Sequence, residues 1–390
     1  MAERLPDVAW TRREDLAAMV AALGAGNARY VGGAVRDTLL GVAVKDIDVA
    51  TPLRPQEVID RLSTADIRSV PTGIEHGTVT AVLSGGPVEI TTLRRDVATD
   101  GRRATVAFAS DWREDAARRD FTINALYADP TTGEIADWFD GLADLATRRV
   151  RFIGDARERI REDHLRILRY FRFQARFGTL PADAEAESAC AELASTLKGL
   201  SRERIGMETM NLLGLPDPAP TVQRMEELGV LAQFLPEARP RALATLIAHE
   251  QAQGVAPDPL RRLAALLPAD PALAEHVAAR FRLSSAQKKR LATAAAREQE
   301  PSEPRALAYR LGRSEALDRL LIAGSDTAAL DGWDIPLLPL KGGEIVARGV
   351  NAGPQVARTL RLVEDRWIAE GFPDRTRVAE MLDEVLGSRS

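Results

Sequence analysis

The 390-residue chain contains a single cysteine, Cys190. One thiol excludes an intramolecular disulfide framework and suits a reducing compartment. Cys190 lies in AEAESACAEL, a helix-like stretch, and reads as a packed thiol. Histidine is almost as scarce: there are four, and no two are close in sequence. No apolar run approaches the roughly 20 residues that a membrane-spanning helix needs. The opening MAERLPDVAWTRRED lacks the apolar core of a signal peptide. The expectation is a cytoplasmic protein with no membrane association and no obligate protein partner. Basic residues are not in excess either. Lys and Arg number 52 against 57 Asp and Glu, a formal net charge of -5, which taken alone argues against a nucleic-acid partner.

Charge distribution says more than the sum. Arg148 to Phe177 holds ten arginines and four acidic residues, a local net of +6. A basic stretch in an acidic chain suits a polyanion, and equally a solvated helical face. The composition, 45% hydrophobic and 28% charged, is that of a globular protein, long enough for two to four domains.

The first third mixes strand and helix signals. NARYVGG and DIDVAT read as strands, with the helix VRDTLLG between them, closed by Gly41. LRPQEVIDRLS reads as a helix. TVTAVL, PVEITTL and ATVAFA read as strands, with Gly85 and Gly86 turning between the first two. Hairpins and helices together favour α+β over a parallel βαβ sheet. Beyond Asp155 nearly everything reads helical, interrupted at GLPDPAP, LPEARP, APDP and LPADP, where proline and glycine end helices and shape connections. The expected division is a head at 1–146, a helical neck at 147–214, a helical body at 215–330 and a helical tail at 331–390.

The most informative stretch is YVGGAVRDTLLGVAVKDIDVA. Along a strand, residues i and i+2 face the same way, so Asp46 and Asp48 share one face while Ile47 and Val49 share the other. Two like charges side by side repel unless something neutralises them. Hard oxygen donors point to Mg²⁺, or Mn²⁺, and such ions promote phosphoryl transfer. An exposed edge strand with unrelated acids is the plainer alternative. Gly32 and Gly33 allow close backbone approach, and the following helix offers free N–H groups to a phosphate. Arg36, in its first turn, is within reach of the same anion. The stretch lacks the Lys-Ser/Thr ending of a P-loop and the dinucleotide fingerprint.

This combination resembles the head of class II tRNA nucleotidyltransferases, the CCA-adding enzymes, and of the related bacterial poly(A) polymerases. The likeness continues through VEITTLRRD, RRDFTINAL, DWFDGLADLATRRVRFIGD, IREDHLRILRYFRFQARFG and LSRERIGMETMNLLG. It is strong over Tyr30 to Gly214 and diffuse beyond. It implies a polymerase beta-like nucleotidyltransferase head followed by an all-helical neck, body and tail. It implies that Gly32, Gly33 and Arg36 place a triphosphate, that Asp46 and Asp48 bind catalytic Mg²⁺, and that Asp37 and Glu89 support the site. Arg102 and Arg103 fall in the family's flexible loop. Arg118, Arg119, Asp120 and Asn124 surround the incoming nucleotide, with Thr122 beside them. Asp140 and Gly141 shape a turn between head and neck.

If IREDHLRILRYFRFQARFG is one helix, Glu162, Asp163 and Arg166 approach one face, opposite Leu165, Leu168 and Phe171. An ordinary ion-pair cluster has the same pattern. The resemblance assigns this EDxxR motif to nucleotide recognition. Arg166 supplies donors and Asp163 acceptors, matching the edges of cytosine and adenine, while Glu162 orients Arg166. Arg169, Arg172 and Arg176 are the candidate RNA-binding arginines.

The activity so implied is template-independent addition of CMP and AMP to the 3' end of tRNA, with CTP and ATP as substrates and the tRNA 3' end and acceptor arm as partner. Poly(A) addition and CC-only addition are the nearest alternatives. An RNA-binding protein on an inactive scaffold is the non-enzymatic one. The absence of any His-Asp dipeptide argues against an appended HD phosphohydrolase domain.

Overall fold

A computed structural model describes residues 4–100, 103–297 and 303–387. The chain divides into two compact units, Met1–Pro236 and Glu237–Ser390.

The first unit begins with helix α1 (Glu14–Leu23) and a sheet built from β1 (Arg29–Val31), β2 (Asp48–Thr51), β3 (Ser69–Gly73), β4 (Thr78–Leu83), β5 (Gly86–Thr92), β8 (Tyr127–Ala128) and β9 (Ile135–Ala136). Its order is β3-β4-β5-β2-β1-β8-β9. The neighbours pair antiparallel except β2 with β5, which run parallel. Strands β6 (Arg94–Asp100) and β7 (Arg103–Phe108) form a separate hairpin. Helices α2 (Gly33–Leu39) and α3 (Pro55–Thr64) fall within the sheet's connections, and α4 (Trp112–Ala117) and α5 (Gly141–Ala146) precede the helical part.

Alternation fixes which face is which. Ile47, Val49, Val79, Ala81, Val88 and Ile90 are buried, whereas Asp46 and Glu89 between them are exposed and Asp48 is half-buried. Helices α1 and α3 pack on the buried face, contributing Leu16, Met19, Leu23, Val58 and Leu62. A smaller cluster of Val31, Ala50, Leu93, Ala109 and Tyr127 covers part of the other face. On the β5–β4–β3 side Thr78, Thr80 and Thr91 are half-buried and Thr72 is exposed.

The neck comprises α6 (Ala156–Glu162), α7 (Arg166–Phe177), α8 (Ala184–Glu192) and α9 (Arg202–Leu213), followed by α10 (Ala219–Glu227). Leu165, Leu168 and Phe171 are buried, as their periodicity predicts. The single helix expected over 160–178 is two. Asp163 adopts an extended backbone (φ -148°), and its Oδ1 accepts the Leu165 N–H, so the side chain that ends α6 also caps the turn leading into α7. The neck–body boundary expected at 214 falls inside the first unit. Helix α10 packs on α7, and its Arg224 pairs with Glu187 of α8 at 2.8 Å.

The second unit is helical: α11 (Pro240–Ala252), α12 (Pro259–Leu266), α13 (Pro271–Arg280), α14 (Ser285–Ala295), α15 (Pro304–Leu311), α16 (Arg313–Ala323), α17 (Gly342–Ala347), α18 (Pro354–Ala369) and α19 (Arg375–Gly387). The proline breaks in LPEARP, APDP and LPADP each place proline in a helix's first turn, where its missing N–H leaves no bond unmade. Asp258 and Asp270 cap the second and third of these helices. Buried Arg261 bridges Glu250 (2.7 Å) and Asp318 (3.0 Å), joining α11, α12 and α16. No helix among the described residues is long and apolar enough to cross a membrane.

Candidate active site

Cross-strand register places the functional side chains in one row. Asp48 is opposite Glu89 on β5 and opposite Val31 on β1, and Val31 is opposite Tyr127 on β8. Asp46 lies just before β2 on the Asp48 face. The strand itself starts at Asp48, two residues later than DIDVAT suggested. Burial, the Glu89 charge and the Asp46 charge raise the Asp48 carboxyl above its ordinary range, against the pull of Arg119. None of the three carboxylates receives a side-chain hydrogen bond or an ion pair among the described residues, and the charge of Arg119 offsets their mutual repulsion only in part.

These residues fit a hard divalent cation. Among the described residues no group of three or more acidic, histidine or cysteine side chains is placed to hold a metal ion by itself. Magnesium does not need one: it keeps several waters and takes one or two carboxylates together with substrate phosphates. An open row of oxygen donors that repel one another suits that mode of binding.

Next to the row, β1 ends in the Gly-Gly turn. Gly32 has φ +66°, a conformation that glycine adopts without strain. A side chain there would also lie 3.4 Å from a terminal nitrogen of Arg119. Arg119 is aimed by Tyr127, whose hydroxyl accepts its Nε at 2.9 Å, and by Asp115 Oδ2 at 3.3 Å. Arg118 is held on Asp115 Oδ1 at 2.7 Å. Burial acts to raise the Asp115 carboxyl, but Arg119, Arg118 and the Tyr127 hydroxyl hold it low. Sequence reasoning passed over Asp115 and Tyr127. The signal for Asp115 was its spacing, three and four residues before the two arginines.

Other expected nucleotide contacts are turned inward. Arg36 is buried. Its guanidinium donates to Asp37 (2.8 Å) and to Asn124 Oδ1 (2.5 Å) and lies over the Phe177 ring at 4.1 Å. Asn124 donates in turn to Asp120 at 2.9 Å, and Asp120 receives two bonds from Arg169 at 2.8 and 2.5 Å. The oxygens of Asp120 and Asn124, expected to face the incoming nucleotide, therefore already have donors.

The proposed RNA-facing arginines belong to the same network. Arg169 pairs with Asp120, Arg172 with Glu208 at 2.6 Å, and Arg176 with Asp37 at 3.2 Å. At helical positions i, i+3 and i+7 they form one stripe of α7 directed at carboxylates of head and neck. Much of the +6 charge is thereby balanced across elements, which a count along the sequence cannot register. Arg102 lies outside the described residues. Arg103 opens β7, which places it in a hairpin strand.

The EDxxR residues are close but differently arranged than one helix would give. Arg166 donates to Glu162 (2.5 Å) and to the carbonyls of Arg159 (2.8 Å) and Arg118 (3.1 Å). Its orientation by Glu162 agrees with the expectation. Asp163 pairs with Arg204 of α9 at 2.7 Å rather than with Arg166. Arg159, which sequence reasoning did not single out, bonds the Ala117 carbonyl at 3.0 Å. Neck arginines thus hold the backbone that carries Arg118 and Arg119. Asp140 and Gly141 do shape a turn: Asp140 takes the left-handed conformation (φ +62°), and Gly141 packs so tightly that a Cβ would lie 2.3 Å from the Thr122 carbonyl oxygen.

A mixed sheet with an outward carboxylate pair on neighbouring strands, beside a glycine turn and a fixed arginine, defines a nucleotidyltransferase. The Poly A polymerase head domain family matches residues 28–151. A second family, described as a probable RNA and SrmB-binding site of polymerase A, matches residues 182–241. The mitochondrial CCA tRNA nucleotidyltransferase 1 of Mus musculus is 34% identical over 363 residues, covering 88% of this chain and 83% of the relative. That of Danio rerio is 35% identical over 383 residues, covering 93% and 86%. The solved CCA-adding enzyme of Bacillus stearothermophilus in complex with CTP shares the fold, with a TM-score of 0.71 at 24% identity over 96% of this chain and 98% of that one. The chain belongs to the CCA-adding enzyme family of the poly(A) polymerase superfamily.

Proposed function

We propose that this enzyme builds or repairs the CCA end of tRNA, adding CMP and then AMP without a nucleic-acid template. The terminal 3'-hydroxyl of the RNA attacks the α-phosphorus of CTP or ATP, the new phosphodiester bond forms, and pyrophosphate leaves with the electron pair of the broken P–O bond. Asp46 and Asp48 would hold Mg²⁺, with Mn²⁺ an acceptable substitute, and Glu89 would support them. When bound, the ion favours deprotonation of the hydroxyl and offsets charge on the triphosphate. Gly32 and Gly33 give the triphosphate close access to backbone, and Arg119, held by Tyr127 and Asp115, supplies a fixed positive charge beside it. Arg36 acts indirectly, by holding Asn124 and Asp37. Asp163 and Arg166 read the base, with Glu162 fixing the arginine. Both C and A carry an exocyclic amine that Asp163 accepts, whereas the carbonyls of U and G oppose it.

The observation that carries the reading is the single row of Asp48 and Glu89 beside the Gly32 turn, in a chain whose named relatives align along most of their length. Cys190, the lone thiol, is fully buried. Its scarcity supports a reducing compartment, and we place the activity in the cytoplasm. The test offers tRNA transcripts ending before CCA, after C and after CC, each with single and mixed nucleotides, and sequences the tails. CCA completed on all three supports the proposal. Runs of A identify a poly(A) polymerase, and a halt after CC identifies a CC-adding enzyme.

A further inference from the structure

Helix α6 ends at Glu162 and α7 begins at Arg166. Arg159 and Glu162 lie one helical turn apart, so their side chains meet. The Glu162 carboxylate therefore receives a guanidinium from each helix, Arg159 on Oε1 and Arg166 on Oε2. The three side chains are only 19%, 18% and 13% exposed, for Arg159, Glu162 and Arg166, which limits screening of their charges by water. Arg166 also bonds the Arg159 carbonyl at 2.8 Å. Two arginines and one carboxylate are thus closed into a single unit.

That unit grips the end of a helix in the head. The last carbonyls of a helix have no partner within it. At the end of α4, Arg159 Nη1 donates to the Ala117 carbonyl at 3.0 Å, and Arg166 Nη2 donates to the Arg118 carbonyl at 3.1 Å. The next residue is Arg119, whose side chain is fixed by Tyr127 and Asp115. The arginine proposed to read the base and the arginine proposed to hold the triphosphate therefore share one stretch of backbone. Of the five N–H donors of Arg166, three are occupied by Glu162 and the two carbonyls. Two remain for the edge of a base.

We propose that Arg159 is a positioning residue that couples base choice to the chemical step. This rests on the roles given above to Arg166 and Arg119, and adds the link between them. A base whose acceptors meet Arg166 leaves it on the Arg118 carbonyl, with Arg119 in line for the triphosphate. A base that opposes Arg166 displaces it, and the Arg118 carbonyl follows. Arg159 makes that response stiff. Its bond to Ala117 and its pairing with Glu162 keep the end of α4 and Arg166 from moving independently. Discrimination then appears in kcat as well as in KM, because a displacement of about 1 Å at the reacting atoms can slow the reaction about 100-fold.

Single-turnover addition of CMP and of UMP to a tRNA transcript ending before CCA tests this in the full chain. In Arg159→Ala the rate at saturating CTP should fall at least about tenfold, and the ratio of the CTP to the UTP rate about as much. The ratio of the two nucleotide dissociation constants should stay within about threefold of wild type. Arg159→Lys, which can still donate to Ala117 and pair with Glu162, should recover most of the rate and of the ratio. In an Arg119→Ala background, adding Arg159→Ala should change the CTP rate by less than about threefold, because both act through one element. Should Arg159→Ala fail to fold, Arg159→Gln, which keeps a donor for Ala117 but no charge for Glu162, carries the same comparison. A folded variant that slows CTP and UTP equally, or losses that multiply in the double variant, overturns the coupling and leaves Arg159 a structural residue. Wild-type protein that adds CMP and UMP alike defeats the underlying base reading instead.

Discussion

Replacing Arg169 with Ala removes both donors from Asp120 Oδ2, at 2.8 and 2.5 Å, and leaves a carboxylate that is only 8% exposed. Losing one partner of a buried pair typically costs about 3–5 kcal/mol. The arginine side chain here is 32% exposed, so water screens the pair and the expected loss is smaller, about 2–3 kcal/mol. That is roughly a 30- to 150-fold change in the unfolding equilibrium. The pH dependence has a definite sign. In the wild type, the Arg169 charge together with the hydrogen bonds from Asn124, Arg169 and Phe121 outweighs burial and lowers the Asp120 pKa. Its contribution is full above the unfolded carboxylate value of about 3.9 and is lost as pH falls through the lower folded value. Without the cation, burial dominates and raises the folded pKa. The variant is then weakest near neutrality, and its deficit shrinks on acidification as folded Asp120 takes up a proton. Urea unfolding at pH 7 and pH 5 measures this, and tRNA binding across a salt series accompanies it. Wild-type stability combined with a salt slope reduced by about one unit would refute the ion-pair account and return Arg169 to an RNA-facing surface.

Gly141→Ala drives a methyl group into the Thr122 carbonyl, 2.3 Å away. It should cost about 1–3 kcal/mol in thermal or urea unfolding and lower kcat/KM for CTP by displacing Asn124. On the proposed base reading, Asp163→Ala removes the acceptor for the amines of C and A, and discrimination against UTP and GTP should fall by about 5- to 150-fold, equivalent to 1–3 kcal/mol. Arg166→Ala should damage CTP use directly. Single-nucleotide kinetics with all four triphosphates check both variants, and unchanged kcat/KM ratios would remove these residues from base reading.

What the sequence made legible depended on whether an interaction is local. Asp46 and Asp48 follow from the two-residue period of a strand, and the glycine turn from two adjacent letters. The strands TVTAVL and PVEITTL follow from alternation, and the breaks at LPEARP, APDP and LPADP from their prolines, whereas it is the structure that shows each break opening a helix, at Pro240, Pro259 and Pro271. The break at Asp163 was missed because EDHLR satisfies helical spacing on both sides. An Asp that accepts the N–H two residues on can end one helix and start the next without disturbing the periodicity. The ion-paired stripe of Arg169, Arg172 and Arg176 was missed for another reason. Their partners, Asp120, Glu208 and Asp37, lie 49, 36 and 139 residues away, and no local charge count registers pairing over such distances. Tyr127 is only eight residues from Arg119, but a turn and the start of β8 lie between them, so neither helical nor strand spacing links the two in the sequence.

The most direct test of the reaction centre is the single-turnover rate of CMP addition by Asp48→Asn, which removes one charge from the carboxylate row and keeps its shape. With saturating CTP, Mg²⁺ and a tRNA ending before CCA, the rate should fall about 10³-fold, equivalent to about 4 kcal/mol of transition-state stabilisation. The tRNA dissociation constant, measured on the same preparation, should stay within about threefold of wild type. A variant that adds CMP within about tenfold of the wild-type rate would contradict the assignment of Asp48 to the reaction centre.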